Sequence, residues 1–563
     1  MPDMTLDQAR EILCAPGAPF EMEQVHAHDR MFRAWKNAPA HMAALAQIGR
    51  SHGSAEFIVF EDERVTFDGW FRAVTALAAH LQALGIRPGD RVALAMRNLP
   101  EWPVAFFAIT TLGAICVPLN AWWTGAELEY GLTTAGCRAL IADGERLARV
   151  SAALPALEFV LGARLQTVPD GVVPLESVIG PVRDYGNLPD RELPDVALAP
   201  DDDATIFYTS GTTGHPKGAL GTHRNLATNI LTSGYAAASA LLRRGQAIPQ
   251  PSPRTVLVSI PLFHVTGCSA ALMGAVYSGS KMVFMRRWDA GVALHLIERE
   301  RVNLAGGVPT IAWQLLEHPD RDKYDLSSLE TVSYGGAPSA PDLVRKIGAV
   351  FGAKPGNGWG MTETMATVTN ILGEDYLSHP DSCGPAAPVA DLRVVCPDRL
   401  IDMPVGQVGE LWARGPMVVK GYWNNADATR STFVDGWVRT GDLARLDAEG
   451  YCYIVDRAKD MVIRGGENIY SSEVENALYD HPAVTDAAVI GIAHRTLGEE
   501  PVAVVHLAPG HDVSEQDLRA WVAARLAAFK VPVAIRFQSE TLPRNANGKI
   551  LKRDLKALFL QPE

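Results

Sequence analysis

Residues 208–220 read YTSGTTGHPKGAL, in which four hydroxyl side chains (Thr209, Ser210, Thr212 and Thr213) and three glycines (Gly211, Gly214 and Gly218) surround a single lysine, Lys217, directly after the apolar run TIFY. Glycine exposes backbone N–H groups, the hydroxyls add donors, and one lysine adds charge without closing the approach. Together they make a concave surface suited to phosphate oxygens. The spacing is not that of a Walker P-loop, because Gly214 is followed by His215, Pro216, Lys217 and Gly218 rather than by G-K-[ST] at the required distance. Other polar groups sit on segments that are bland when taken singly: MTET around Glu363 is a polar loop, Asp442 follows Gly441 as a turn residue would, His264 lies on an apolar segment, and the NGK ending at Lys549 reads as an exposed turn.

The surrounding elements alternate. Trp70, Phe71, Val74, Leu77, Leu81 and Leu84 follow helical spacing from Asp68 and stop at Gly85, after which RVALAM reads as a buried strand. The helix-like PVAFFAITTLGA precedes the strand-like ICVPL, TGAE at residues 124–127 is a capping box, and ALIAD follows as a strand. Helices alternating with short continuous apolar strands predict parallel sheets covered on both faces, an α/β body. The Pro-rich stretches PVRDYGNLPDRELPDVALAP and RRGQAIPQPSPR read as surface connections. A domain boundary is expected within DRAKDMVIRGGENIYSSEVE, followed by a capping box at Ser472 to Glu475, the strands AAVIGI and VAVVHL, and a helix over 515–528. That is a compact α+β unit of about 100 residues.

Composition narrows the partners. A chain of 563 residues needs at least two domains. Its 47% hydrophobic and 20% charged content describe a globular protein. The net charge of −13 opposes binding to nucleic acid, so any anionic ligand must be held by local positive groups. Seven scattered cysteines without a C-x-x-C pair suggest neither a disulfide framework nor a zinc site, and a cytoplasmic setting is expected. The N-terminal MPDMTLDQAREIL does not resemble a secretory signal. Residues 102–124 carry no charge, yet the stretch between Pro103 and Pro118 makes only about 22 Å of helix, short of a membrane span.

YTSGTTGHPKG resembles the signature loop of the adenylate-forming superfamily, which contains acyl-CoA synthetases, nonribosomal peptide adenylation domains and firefly-type luciferases. Seven further segments match in the family's order: PLFHVTG (261–267), YGGAP (334–338), NGWGMTET (357–364), GELWARG (409–415), WVRTGDLA (437–444), DRAKDMVIRGGENI (456–469) and PRNANGKI (543–550). The resemblance implies a large N-terminal domain over 1–457, with two parallel-rich α/β subdomains and a small β-barrel-like one. A small mobile α+β domain over 458–563 follows it. It also implies ATP, Mg²⁺ and coenzyme A as cofactors, a small carboxylic acid as substrate, and a homodimer as the commoner assembly.

Residue by residue, the resemblance has Thr209, Ser210, Gly211, Thr212, Thr213, Gly214 and Lys217 cradle the β- and γ-phosphates. Thr362 touches the α-phosphate and Glu363 holds Mg²⁺, as a hard oxygen ligand should. Gly335, Gly336 and Ala337 give adenine a flat slot beneath Trp359, while Asp442 and Arg457 contact the ribose. Lys549 bridges the substrate carboxylate and the α-phosphate. Lys459 is the hinge about which the small domain turns, bringing in the hairpin around Gly465 and Gly466 so that the pantetheine arm passes close to backbone. His264 stands between the acid pocket and the thiol channel.

Within the superfamily an acid:CoA ligase is the main expectation. An amino-acid adenylation domain would carry an aspartate just after PLF, where this chain has His264. A luciferase-like oxygenase usually ends in a peroxisomal tripeptide, whereas this chain ends in QPE. A CoA-independent acyl-AMP ligase typically carries an insertion restraining the small domain, and the Asp442–Arg457 spacing here is compact. The expected acid is a hydrophobic monocarboxylate, a medium- or long-chain fatty acid or a bulky aryl-alkanoic acid. HVTGCSAALMGA, GGVPTIAW and GGAP are small and apolar, with no charge to pair a second ionic group.

Overall fold

The computed structural model describes residues 3–27, 30–150, 156–209, 216–335, 341–397, 399–465, 467–508, 510–545 and 548–559. Among these residues two eight-stranded sheets carry most of the molecule. In the first, Asp203–Tyr208, Ile115–Pro118, Arg91–Ala95, Ala139–Asp143, Phe159–Ala163 and Val173–Pro174 run parallel. Gly218–Thr222 and then Gly421–Tyr422 add antiparallel strands at one edge. In the second, the central strands Thr331–Gly335, Leu304–Gly307, Thr255–Val258, Lys281–Phe284 and Glu56–Phe60 are parallel neighbours, with Lys354–Met361 beyond the first of them.

Period-two alternation explains why both sheets are covered twice. Val92 and Leu94 face one core and Ala93 and Ala95 another. In the second sheet, Ile58, Val258 and Met282 join that first core, while Val59, Leu257 and Val283 point to a third. The shared core is therefore a helical layer between the sheets. Its centre is the helix Glu101–Thr111, buried along its whole length and apolar on every face from Trp102 to Ile109, with the Glu101 carboxylate at its start paired with Arg164 (2.8 Å). The expected buried helix is thus observed, and among the described residues no helix is long and apolar enough to cross a membrane. The expected capping box also forms: the Thr124 N–H donates to Glu127 Oε2 (2.8 Å) and the Glu127 N–H to Thr124 Oγ1 (3.4 Å).

A six-stranded antiparallel sheet follows, ending with Trp437–Leu446 and Tyr451–Arg457. The chain leaves it at Arg457 and enters the last, five-stranded sheet at Val462. Two local expectations fail here. Ser472 is not a cap, because the helix Ser471–Tyr479 already begins at Ser471. The Ser472 hydroxyl donates to the Val455 carbonyl, and Glu475 accepts from the Val489 N–H (2.8 Å) and pairs with Lys552 (2.7 Å). Tertiary partners outcompeted the local motif. The expected helix over 515–528 stops at Ala523, since Leu526, Phe529 and Val531 reach the small core only if the chain turns.

Candidate active site

The carboxyl ends of the parallel strands of both sheets face one cavity of about 2160 Å³. Ligands of open α/β sheets bind at such ends. A single small-molecule pocket rarely exceeds about 1,000 Å³, so this volume suits several ligands together.

The hydroxyl-and-glycine loop connects the antiparallel strands Asp203–Tyr208 and Gly218–Thr222. At its base the Thr209 N–H donates to the Lys217 carbonyl (2.8 Å) and the Lys217 N–H to Thr209 Oγ1 (3.4 Å), so both residues are fixed at the cavity wall. Ser210, Gly211, Thr212, Thr213 and Gly214 lie outside the described residues, as do Gly336, Ala337 and Gly466.

Opposite Lys217, the tight turn Thr362–Thr364 presents Thr362 and Glu363 to the same cavity. Met365 and Ala366 continue it with φ of 46° and 95°, a strained path for residues with a Cβ. Asn229 pins it from a neighbouring helix: its Nδ2 donates to the Met365 carbonyl (2.7 Å) and its Oδ1 accepts from the Thr367 N–H (2.8 Å). Gly360 is obligatory, since a Cβ there would stand 1.5 Å from the Ala366 carbonyl oxygen. Glu363 is 7% exposed, and burial pushes its carboxyl up. The Tyr422 hydroxyl donates to its Oε1 at 2.5 Å, and the Lys217 ammonium sits 4.8 Å from the centre of the Tyr422 ring. Tyr422, which sequence reasoning missed, therefore joins the lysine of one segment to the carboxylate of another.

A second polar unit lies further round the wall. Trp359 Nε1 donates to Asp442 Oδ2 (2.8 Å), and Arg457 Nε pairs with Asp442 Oδ1 (3.2 Å). Gly335 lies flat against the neighbouring strand, where a Cβ would meet the Gly358 carbonyl oxygen at 2.7 Å. His264 lines the cavity; its Nδ1 accepts from the Thr266 N–H (3.4 Å) and burial pushes its pKa down to about 4, so it is a neutral imidazole at pH 7. Lys459 is exposed beyond Arg457, and Gly465 turns a hairpin with φ of 61°.

Lys549 reaches the cavity from the far end of the chain. Its loop closes through the Lys549 N–H to Asn545 Oδ1 (3.0 Å), and Gly548 presses so tightly on Val308 that a Cβ would lie 2.6 Å from a methyl. The Lys549 ammonium is buried and has no hydrogen-bond partner among the described residues. Burial, reinforced by the charges of Arg457 and Lys459, pushes its pKa down to about 7. An orphaned, half-deprotonated ammonium at a cavity wall is a site built for an anion.

The family model described as AMP-binding enzyme matches residues 45–423, and that of the AMP-binding enzyme C-terminal domain matches residues 473–549. The chain belongs to the AMP-binding enzyme family. Feruloyl-CoA synthase of Amycolatopsis sp is 36% identical over 529 residues, covering 93% of this chain and 98% of that protein. The long-chain-fatty-acid–CoA ligase FadD13 of Mycobacterium tuberculosis is 34% identical over 502 residues, covering 88% and 94%. Among solved structures, the anthranilate CoA ligase AuaEII in complex with anthranoyl-AMP aligns with a TM-score of 0.81 at 26% identity, over 92% of this chain and 97% of that one. These likenesses put the chain in the acyl-CoA synthetase branch of the AMP-binding family, the AMP-forming acid–thiol ligases. Among its described residues no group of three or more His, Cys, Asp or Glu side chains could hold a metal by itself. In an AMP-binding enzyme this leaves Glu363 as a single buried carboxylate with a hydroxyl but no cation in contact, which fits a metal ion shared with phosphate oxygens.

The lowered pKa of Lys549 sets a pH dependence. The ammonium form prevails below about pH 7 and is lost above it, so kcat/KM for ATP in acid-dependent pyrophosphate exchange should fall with an alkaline limb near pH 7. In Lys549→Arg the guanidinium stays charged, and the limb should disappear even if the rate is lower.

Proposed function

We propose that this enzyme activates a bulky, hydrophobic monocarboxylic acid, aryl-substituted or branched, as its acyl-AMP and passes the acyl group to coenzyme A. The observation that carries the substrate class is the cavity wall: Gly234, Ala237 and Ala238 on the helix His223–Leu242, with Ala270, Ala271 and Gly274 elsewhere in the lining, provide width rather than a narrow bore. Thr266–Leu272 winds as a π-helix, an irregularity frequent at functional sites. Two arginines of the distal lining are paired, Arg244 with Asp375 (2.6 Å) and Arg254 with Glu330 (3.2 Å), so neither is left to call for a second carboxylate.

In this reading Thr209 and Lys217 hold the β- and γ-phosphates together with Ser210, Gly211, Thr212, Thr213 and Gly214. Thr362 meets the α-phosphate, Glu363 holds Mg²⁺, which would draw charge from the phosphate oxygens, and Trp359, Asp442 and Arg457 take the nucleoside beside Gly335, Gly336 and Ala337. The carboxylate oxygen attacks the α-phosphorus and pyrophosphate leaves. Lys549 offsets the negative charge that brings the two anions apart, a stabilisation made where charge concentrates. His264, neutral, separates the acid from the thiol without adding charge. Residues 458–563 then turn about Lys459, exchanging Lys549 for the hairpin at Gly465 and Gly466.

The test is AMP release across straight-chain, branched and arylalkanoic acids of equal carbon number, each with and without CoA. Aryl or branched acids should exceed straight chains in kcat/KM by about tenfold or more, in line with one or two kcal/mol of pocket fit. Preference for straight chains would overturn the substrate class. AMP formation indifferent to CoA would instead move the acyl group to another acceptor.

A further inference from the structure

Arg97 follows the carboxyl end of the strand Arg91–Ala95 in the first sheet, and Arg286 and Arg287 follow that of Lys281–Phe284 in the second. All three line the same cavity. Asn98, beside Arg97, staples the two sheets together here: its Nδ2 donates to the Ile260 carbonyl (3.0 Å) and its Oδ1 accepts from the Leu262 N–H (2.8 Å). The rim therefore adjoins the segment that carries His264. It opens to solvent at Trp122, which is 48% exposed, and the Arg97 guanidinium lies 5.5 Å from the centre of the Trp122 ring.

The charge at this rim is not balanced. Two acids face Arg97, and neither pairs with its guanidinium: Asp143 accepts from the Arg97 backbone N–H (3.1 Å) and pairs with Arg146 (2.9 Å), and Glu145 pairs with Arg146 (3.0 Å) and Arg149 (2.5 Å). Among the described residues no carboxylate comes within 4.0 Å of the Arg97, Arg286 or Arg287 guanidinium. Burial and the charges of Arg146 and Arg287 hold the Arg97 pKa below the usual arginine value. A guanidinium does not relieve such crowding by deprotonation; an anion relieves it. Arg286 and Arg287 are exposed to solvent, so in a chain of net charge −13 this local excess of positive charge is open to an anion arriving from outside.

We propose that Arg97 and Arg287, with Arg97 held in place by Trp122, bind the phosphate groups of the coenzyme A nucleotide at the mouth of the cavity, beside the His264 segment. Planar guanidiniums suit phosphate oxygens bidentately, and a rim site leaves the uncharged pantetheine arm to run inward. The assignment rests on the ligase reading above and adds the nucleotide's anchor, which no signature segment of the sequence supplies.

The experiment compares CoA, dephospho-CoA and pantetheine as acceptors for the wild type, Arg97→Ala, Arg287→Ala and the double variant, with pyrophosphate exchange followed in parallel. Each substitution should raise the KM for CoA about tenfold, and the double variant by more, with kcat/KM for pantetheine and the exchange rate unchanged. The wild-type preference for CoA should also shrink as salt is raised, because rim charges are screened. An unchanged preference for CoA over pantetheine in the double variant would overturn the assignment. So would an equal loss for both thiols, or a rise in the KM for ATP or for the acid instead. A wild type that uses no thiol at all would overturn the ligase reading itself, a result distinct from each of these.

Discussion

Lys549→Ala is expected to slow acyl-AMP formation about a thousandfold while leaving thiolysis of supplied acyl-AMP near the wild-type rate. A unit charge about 4 Å from a developing negative charge, at an effective dielectric near 20, is worth ~4 kcal/mol. That corresponds to about three powers of ten in rate. The selectivity for one half-reaction follows from position: Lys549 enters the cavity on a loop seated by Gly548 against Val308, and a turn about Lys459 would withdraw it. Stability supplies an independent check. Removing a buried ammonium that has no partner deletes a desolvation cost rather than a bond, so the Tm of Lys549→Ala should equal or slightly exceed that of the wild type. Equal loss in both half-reactions, or a large fall in Tm, would sink the role assigned to Lys549.

The sequence made some of this site legible and hid the rest for physical reasons. Lys549, Glu363 and Asp442 stand inside short motifs, and their residue types already fit charge neutralisation, a hard oxygen ligand and a hydroxyl contact. The parallel sheets were legible as well, because runs such as RVALA and ALIAD are apolar on both faces and helices separate them. Partnerships across the fold were not. Ser472 and Glu475 have the spacing of a capping box, yet each found a tertiary partner, Val455 and Val489 respectively. Arg97 sits at a strand end and reads as an ordinary surface charge; only the commitment of Asp143 and Glu145 to other arginines exposes its lack of a counter-ion. That Lys549 lacks a hydrogen-bond partner is likewise a property of packing, invisible in NGK.

Tyr422→Phe is expected to lower the adenylation rate by about ten- to a hundredfold, to raise the Mg²⁺ concentration needed for half-maximal rate, and to cost about 1–3 kcal/mol of stability. Tyr422 is placed by topology alone. The strand Gly421–Tyr422 pairs with Ala219 and Leu220 at the edge of the first sheet, which sets its side chain beside Lys217 on one side and Glu363, 59 positions earlier, on the other. Phenylalanine keeps the ring 4.8 Å from Lys217 but removes the 2.5 Å hydrogen bond, so the Glu363 carboxylate stays buried without its donor and loses its fixed orientation. A positioned ligand that becomes mobile costs rate even when it still binds. Tyr422→Leu separates the two contacts: it also removes the ring, worth about 0.5–2 kcal/mol to the ammonium, and should add a rise in the KM for ATP through Lys217. If Tyr422→Phe retained the wild-type rate, Mg²⁺ dependence and Tm, the hydroxyl would be a bystander, and Glu363 would have to be held by the strained turn at Met365 and Ala366 alone.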